Sequence, residues 1–366
     1  MWTKSFADDA IYWYGATRIF FPRVFTRPLG FFLYITSQCN LHCGYCWQRE
    51  EKDRCAGWMD TGAAPLDPDQ WARVVRFLPF GCYVGISGGE PTLSGALPAV
   101  IRAAGPSRPV TINTNGVAWK DEHLELFTSG AVKNVSVSLD GFADVTDAVR
   151  GEPGIFDRIV SNVSRLRALR GKRKSPSLTI KAVLLDENAG QLPAFHRFCE
   201  KDLKAGTLNV SFLKQGCHAQ FSMFSTDDLK RIFKDCGARL HAYKNPEKVA
   251  ASLGALLNQG QGSPCRVQVY PRMKTPNQAS RFLRVAGLSG YRPCTLPWAQ
   301  VAVLPDGEVI PCLSLALGNV KNHGYAVLDV LKKEGYARFC AMIRAAGDQL
   351  PEACHACCYL RFAGAP

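Results

Sequence analysis

Three cysteines at the exit of an apolar segment constrain this chain more than any other feature of its sequence. The segment 31–36 is followed by Cys39, Cys43 and Cys46 in a C-x3-C-x2-C spacing, so the three thiols can face one point. A structural zinc site closes its shell with four protein ligands, and His42 is poorly placed to be the fourth because it adjoins Cys43. In a [4Fe-4S] cluster, three thiolates leave one iron open to a small molecule. The spacing therefore favours an iron–sulfur cluster over zinc.

The composition indicates a cytoplasmic globular protein. The chain has 366 residues and 15 cysteines, but disulfide frameworks belong to short chains that carry a signal peptide. No basic stretch leads into an uninterrupted apolar core at the N-terminus, and no run of roughly 18 apolar residues occurs. We therefore expect one large domain and a smaller one, with clustered cysteines that bind metal.

Apolar strand-like segments alternate with helical segments along most of the chain. The alternation predicts right-handed βαβ units in a parallel sheet, and six repeats predict a partial (β/α)6 barrel with ligands at the C-terminal ends of its strands. The predicted strands are 31–37, 82–87, 109–114, 134–139, 178–185 and 208–213. The predicted helices are 67–78, 94–104, 119–129, 156–170, 190–203 and 226–241.

A glycine-rich motif follows the second predicted strand directly. Gly88 and Gly89 would let a ligand approach the backbone closely, because glycine has no side chain. Glu90 supplies a carboxylate for an ammonium group. Taken alone, this Gly-Gly-Glu sequence is also compatible with a tight turn. It lies one βα unit after the three cysteines, at the same edge of the predicted sheet.

The cysteine spacing, with an aromatic residue before the last cysteine, and the Gly-Gly-Glu motif together resemble the signature of radical S-adenosylmethionine (SAM) enzymes. The resemblance implies that Glu90 and the two glycines hold the amino group of SAM. It also implies that Ser138, at the end of the fourth strand, and Arg150 bind the methionine carboxylate, which suits a guanidinium fork. Tyr45 is expected near the adenine, and Asn113 and Asn115, at the end of the third strand, are expected near the ribose.

A second group of cysteines lies near the C-terminus. Cys294 and Cys312 flank a predicted hairpin with an Asp-Gly turn, and Cys354 and Cys357 follow in a C-x2-C spacing. Four thiolates can close a tetrahedral zinc site or hold a cluster. The pattern resembles the auxiliary-cluster domains of the SPASM/twitch branch of radical SAM enzymes, in the shorter twitch form. The resemblance implies a small hairpin-plus-helix domain with one auxiliary [4Fe-4S] cluster.

The resemblance implies a reaction in which reductive cleavage of SAM gives a 5′-deoxyadenosyl radical that removes hydrogen from a carbon. A second cluster with four cysteine ligands has no free iron, so it is expected to accept an electron and leave an oxidised product, as in the aminocyclitol alcohol dehydrogenases. One alternative is an epimerase in which Cys217 or Cys265 donates hydrogen. Another is a maturase that crosslinks a ribosomal peptide or forms a thioether.

The expected partners follow from these assignments. A small natural-product, sugar or nucleotide-like substrate is favoured over a peptide, because about 30 residues before the first strand are too short for a leader-recognition domain. A reducing protein such as flavodoxin or ferredoxin is expected. The net charge of +13 would suit nucleic acid. The order of the SAM motifs nevertheless favours an enzyme over a non-catalytic iron–sulfur or zinc protein that binds nucleic acid.

The sequence predicts four segments. The N-terminal one is rich in aromatic residues and arginine, and we expect it to pack on the main domain rather than on a membrane surface, because Pro22 and Pro28 interrupt a long amphipathic helix. The segments are this extension at 1–30, the core barrel at 31–241, a connecting segment at 242–290 and the cluster domain at 291–366.

Overall fold

A computed structural model of the protein describes residues 4–21, 27–46, 63–215, 239–240, 242–284, 291–312, 316–347 and 361. The predicted site residues Cys217, Cys354 and Cys357 lie outside these ranges. Among the described residues, no helix is both long enough and apolar enough to cross a bilayer.

Ten strands of the described chain form one sheet, in the order β12-β11-β10-β1-β2-β3-β4-β5-β6-β9. Eight of them, from β10 to β9 in this order, are parallel, whereas β11 and β12 are antiparallel. A separate ribbon pairs β7 with β8. The strands are β1 Gly30–Tyr34, β2 Tyr83–Ser87, β3 Val110–Thr114, β4 Val132–Ser138, β5 Ser177–Leu184, β6 Thr207–Phe212, β7 Lys214–Gln215, β8 Arg239–Leu240, β9 Arg266–Tyr270, β10 Gln300–Val303, β11 Glu308–Ile310 and β12 Gly318–Asn319.

Helices connect the parallel strands, as the alternating pattern predicts. The start of α2 shows how the sequence places them: the Asp67 side chain accepts from Gln70 N at 2.8 Å and the Gln70 side chain accepts from Asp67 N at 3.1 Å, forming a capping box. The helices are α1 Lys4–Phe20, α2 Pro68–Phe77, α3 Leu97–Ala104, α4 Asp121–Phe127, α5 Ala143–Arg150, α6 Ile155–Arg170, α7 Asp186–Ala189, α8 Leu192–Lys201, α9 Pro246–Gln259, α10 Pro276–Arg284, α11 Leu296–Ala299, α12 Val327–Val330 and α13 Glu334–Ala346.

The predicted α/β class, with a partial (β/α)6 barrel and a C-terminal hairpin, is confirmed. Strands β1 to β6 are parallel neighbours in chain order. The structure adds a parallel strand at each edge of this set: β9 pairs with β6, and β10, the first strand of the hairpin, pairs with β1. The hairpin therefore extends the sheet instead of standing apart from it.

The two faces of the sheet differ in polarity, because alternate strand residues face opposite sides. One face carries apolar residues such as Leu33, Ile86 and Ile112, which are fully buried in the core shared with the helices. We call the opposite face the inner face. It carries polar residues such as Asn134 and Thr179, which are buried and bonded to each other at 2.9 Å. The inner face is thus built to hold polar groups away from water.

Candidate active site

The loop after β1, residues 35–46, carries the three cysteines, and we call it the cysteine loop. It pairs with the chain that follows β2. Gly89 N donates to Thr36 O and Glu90 N donates to Gln38 O, both at 2.7 Å. A side chain at either glycine would collide with this neighbour: a Cβ on Gly88 would lie 2.4 Å from Thr36 O, and one on Gly89 would lie 2.1 Å from Gln38 O. The two glycines therefore let one loop backbone approach another, a neighbour that the sequence did not reveal.

The carboxylate of Glu90 joins the end of β2 to the end of β3. Its Oε1 accepts from Thr92 N at 3.1 Å and from the hydroxyls of Thr92 and Thr114 at 2.7 Å, and its Oε2 accepts from Asn115 N at 2.6 Å. Burial raises the pKa of Glu90, and the hydrogen bonds from these donors act in the opposite direction. Both carboxylate oxygens thus bond to the chain itself, and the predicted contact with the amino group of SAM stays a prediction.

The side chain of Asn115 lies against the cysteine loop. Its Nδ2 donates to Asn40 Oδ1 at 2.8 Å and lies 3.9 Å from Cys39 Sγ, while its Oδ1 accepts from Val117 N at 3.0 Å. Hydrogen bonds to the sulfurs of a cluster shift its reduction potential. Asn115 therefore links the end of β3 to a predicted cluster ligand, and its predicted place near the ribose stays a prediction.

Arg150 lies at the centre of a buried polar cluster that sequence reasoning found only in part. Asp140 Oδ2 accepts from Arg150 Nη2 at 2.7 Å and from the Tyr45 hydroxyl at 2.6 Å, and Asp140 Oδ1 accepts from Val183 N at 2.9 Å. Arg150 also donates to the Tyr45 hydroxyl at 3.3 Å. Asp140 was not predicted as a site residue, although its position two residues after Ser138, at the same strand end, was the available signal.

This cluster attaches the cysteine loop to the end of β4. Burial and the nearby Asp140 raise the pKa of Tyr45. Burial alone would lower the pKa of Arg150, but Asp140, Tyr45 and Cys43 together outweigh it and raise that pKa. Arg150 Nε is buried and has no hydrogen-bond partner in the described part of the chain. The guanidinium thus keeps one inward donor, which fits the predicted contact with the SAM carboxylate.

The three predicted cluster cysteines are half-buried, unbridged and close to this cationic group. Burial raises the pKa of the Cys43 thiol to about 11, and the charge of Arg150 opposes that increase. Among the residues with described positions, no three His, Cys, Asp or Glu side chains are grouped tightly enough for a single metal ion. Thiolates of a [4Fe-4S] cluster bind different irons, so they lie further apart than ligands of one ion. The Cys39 and Cys46 thiols lie near enough to Cys43 to raise its pKa further, so the three thiols are grouped as the ligands of a cluster with one open iron would be.

Cys294 and Cys312 lie beside the same apolar cluster. Both pack against the cluster that Trp298 of α11 forms with residues of α13, among them Phe339. The hairpin turns at Gly307, whose φ of +95° is accessible to glycine at little cost. Because β11 runs back along β10, the segment before α11 and the segment after β11 meet at one end of the hairpin. Two of the four predicted auxiliary ligands are therefore brought to one place.

A pocket on the inner face connects this end of the hairpin with the first strand. The residues of β1 and β10 that line it are mostly apolar, and Cys312 closes one side. Its lining residues are Phe32, Tyr34, Leu296, Gln300, Val301, Ala302, Ile310, Pro311 and Cys312.

Helix α1 packs on the segment that carries Cys294. The Thr295 hydroxyl donates to Tyr12 O at 3.1 Å, and Arg18 donates to Trp298 O at 2.6 Å. Gly15 faces Thr295 so closely that a Cβ would lie 2.4 Å from the Thr295 carbonyl oxygen. The N-terminal helix thus holds a predicted auxiliary ligand in position through its neighbouring residue.

Gly15→Ala is expected to release the auxiliary cluster, although alanine is ordinarily the better helix former by about 1 kcal/mol. The added methyl group would displace Thr295 and with it Cys294. After anaerobic reconstitution, iron per chain should fall from about eight to about four atoms. Trp13→Ala, on the same helix but 57% exposed, is the control and should keep the full iron content. Unchanged iron in Gly15→Ala would show that this contact does not position the ligand.

Cys265 lies away from the three predicted cluster cysteines. It precedes β9, at the N-terminal end of that strand, whereas the three cluster cysteines follow the C-terminal end of β1. Its side chain is fully buried in the main apolar core, and burial raises the pKa of its thiol to about 12. Its position gives no support to the predicted role of hydrogen donor.

Two family models match the chain. The Radical SAM superfamily model matches residues 33–199, and the SPASM model, an iron–sulfur cluster-binding domain, matches residues 294–358. The chain belongs to the radical SAM superfamily, in its SPASM/twitch branch. Its cofactors are therefore SAM, a SAM-binding [4Fe-4S] cluster and an auxiliary iron–sulfur cluster. That the predicted cysteines are the ligands of these clusters stays a prediction.

Named relatives are similar over part of the chain. GTP 3′,8-cyclase from Mycobacterium ulcerans is 33% identical over 177 residues, 45% of this chain and 45% of that protein. PqqA peptide cyclase from Rhodopseudomonas palustris is 31% identical over 177 residues, 46% of this chain and 43% of that protein. The matched part thus spans less than half the length of these relatives. The crystal structure of Streptococcus suis SuiB bound to S-adenosylmethionine has a TM-score of 0.57 at 16% identity, covering 87% of this chain and 67% of that one, and shows a shared fold.

Proposed function

We propose that this radical SAM enzyme removes a hydrogen atom from a carbon of an organic substrate bound on the inner face, and that its product is an oxidised form of that substrate. When bound, the first cluster supplies the electron that cleaves SAM, and the second accepts the electron that the substrate loses together with a proton. The observation that carries the proposal is the buried cluster of Tyr45, Asp140 and Arg150, which attaches the segment with the three cysteines to the end of β4 and leaves Arg150 Nε without a partner in the described residues.

The residues of the chain have separate tasks in this proposal. Cys39, Cys43 and Cys46 hold the first cluster. Arg150, oriented by Asp140, binds the carboxylate of SAM through its remaining donor.

The substrate class has two candidates. A nucleotide-like small molecule is supported by the similarity to GTP 3′,8-cyclase. A peptide is supported by the similarity to PqqA peptide cyclase, which favours peptide maturation as a second candidate function. Epimerisation with Cys265 as the hydrogen donor has no comparable support, because Cys265 lies at the N-terminal end of β9. Cys217, the other predicted donor, lies outside the described residues.

The proposal is tested by SAM cleavage under anaerobic reducing conditions, with dithionite or a flavodoxin as the electron source. The wild type should form 5′-deoxyadenosine, and the Cys39/Cys43/Cys46→Ala variant should form none, because the open iron is lost. Cys294/Cys312→Ala should still cleave SAM but should form no oxidised product from GTP or a peptide that the wild type converts. Product formation by this second variant would contradict the role of the auxiliary cluster as electron acceptor.

A further inference from the structure

A row of polar side chains crosses four neighbouring strands on the inner face. Ser138 on β4 is in register with Lys181 on β5, Lys181 with Asn209 on β6, and Asn209 with Gln268 on β9. Residues in register on adjacent strands lie on the same face, about 5 Å apart. Lys181 Nζ donates to Asn113 Oδ1 at 2.6 Å, reaching over β4 to β3. The row begins at the residue expected to bind SAM and runs away from it along the sheet.

Two amide atoms of this row are buried without a bond. Asn209 is 4% exposed and Gln268 is 1% exposed. Asn209 Oδ1, an acceptor, and Gln268 Nε2, a donor, have no hydrogen-bond partner among the residues that the structure describes. The Tyr270 hydroxyl donates to Gln268 Oε1 at 2.9 Å, and Nε2 is the open atom of this amide. A buried donor or acceptor without a hydrogen bond destabilises the folded protein, so a bound group that supplies the missing bonds would be stabilising.

Another buried asparagine on the inner face differs, because its side chain is bonded within the chain. Asn134, also buried, donates from Nδ2 to Ser136 Oγ at 2.9 Å. Its Oδ1 accepts from the hydroxyls of Ser177 and Thr179, each at 2.9 Å. Asn134 thus finds its hydrogen-bond partners within the chain, unlike the open atoms of Asn209 and Gln268.

We infer that Asn209 and Gln268 form a subsite for an N–H and C=O pair that the substrate presents on one side. Asn209 Oδ1 accepts from the N–H, and Gln268 Nε2 donates to the C=O. Two sources carry this chemistry: one residue of an extended peptide, whose own N–H and C=O point to the same side, and the ring amide of a guanine base, in which the two groups are cis. The inference rests on the proposed function, because the row starts at Ser138, where SAM is expected to bind.

The first test is thermal stability, which needs no ligand. The Asn209→Leu/Gln268→Met variant breaks only the bond from Tyr270, so its Tm should stay within about 2 °C of the wild type or rise. Asn134→Leu, the matched control on the same face, loses three bonds and should lower Tm by more than about 2 °C. If the double variant falls as far as the control, the two amides are satisfied within the chain and the inference is overturned.

The second test is binding to the reconstituted holoenzyme, measured by isothermal titration calorimetry in the presence of SAM. The probes are N-acetylalanine methylamide, which mimics a peptide, and GTP. At least one probe should bind the wild type, and its Kd should rise at least about tenfold in the double variant while the Kd of SAM changes by less than about twofold. If the double variant loses affinity for the peptide mimic, the substrate group is part of a peptide. If it loses affinity for GTP, the substrate group is the base of a guanine nucleotide.

Two results would overturn the inference. In one, neither probe binds the wild type. In the other, the affinity for SAM falls together with that for the probe, which would assign the two amides to SAM itself. The proposed function fails by a separate measurement, the absence of 5′-deoxyadenosine from the wild type, which leaves the calorimetric result intact.

Discussion

Asp140→Ala is expected to destabilise the protein by about 3–5 kcal/mol, because it leaves a buried guanidinium without its counter-charge. The side chains of Arg150 and Asp140 are 2% and 1% exposed, and their atoms meet at 2.7 Å. The same substitution removes the acceptor of the Tyr45 hydroxyl and that of Val183 N. The cysteine loop would lose an anchor at the end of β4, so the affinity for SAM should fall as well.

The measurement is the free energy of unfolding from urea titration, together with the Kd of SAM for the reconstituted protein. A surface pair provides the matched control: Asp121 accepts from Arg165 at 2.6 Å, but the side chain of Asp121 is 88% exposed. Asp121→Ala should cost no more than about 1 kcal/mol, because solvent screens an exposed pair. Equal losses in the two variants would mean that Asp140 contributes no more than a surface charge.

The fold could be predicted from the sequence because its signal is local. Strands β1 to β6 are short apolar segments separated by amphipathic helices, and each lies within a few residues of its predicted position. Placement of functional motifs at the C-terminal ends of these strands then follows from parallel geometry alone.

The positions of the edge strands could not be predicted, because strand order depends on contacts between distant parts of the chain. Nothing in Arg266–Tyr270 states that it pairs with β6, and nothing in Gln300–Val303 states that it pairs with β1. The role of Asp140 was missed for the same reason, since its partners Tyr45 and Arg150 come from separate segments.

The neighbour of the Gly-Gly-Glu motif was also hidden in the sequence, because a glycine does not reveal what approaches it. The prediction was a ligand, whereas the structure places the backbone of the cysteine loop against both glycines. A methyl group introduced at Gly89 would therefore collide with the backbone of the cysteine loop and not with a ligand.

Gly89→Ala is expected to abolish loading of the SAM-binding cluster. The new Cβ would lie 2.1 Å from the oxygen and 2.5 Å from the carbonyl carbon of Gln38, and 2.7 Å from the oxygen of Ser37. These are backbone atoms, so no side-chain rotation relieves the overlap, and the segment next to Cys39 must move. Overpacking typically costs about 1–3 kcal/mol, and here the strain falls on a cluster ligand.

Iron and sulfide per chain, measured after anaerobic reconstitution, decide the outcome. Gly89→Ala should hold about four irons, those of the auxiliary cluster, and should form no 5′-deoxyadenosine. Gly95→Ala is the matched control, because a Cβ at Gly95 has no atom within 4 Å. This control should hold about eight irons and cleave SAM at the wild-type rate. A full iron content in Gly89→Ala would mean that the cysteine loop can shift without losing its cluster, so that its close pairing with the Gly-Gly-Glu motif serves SAM binding alone.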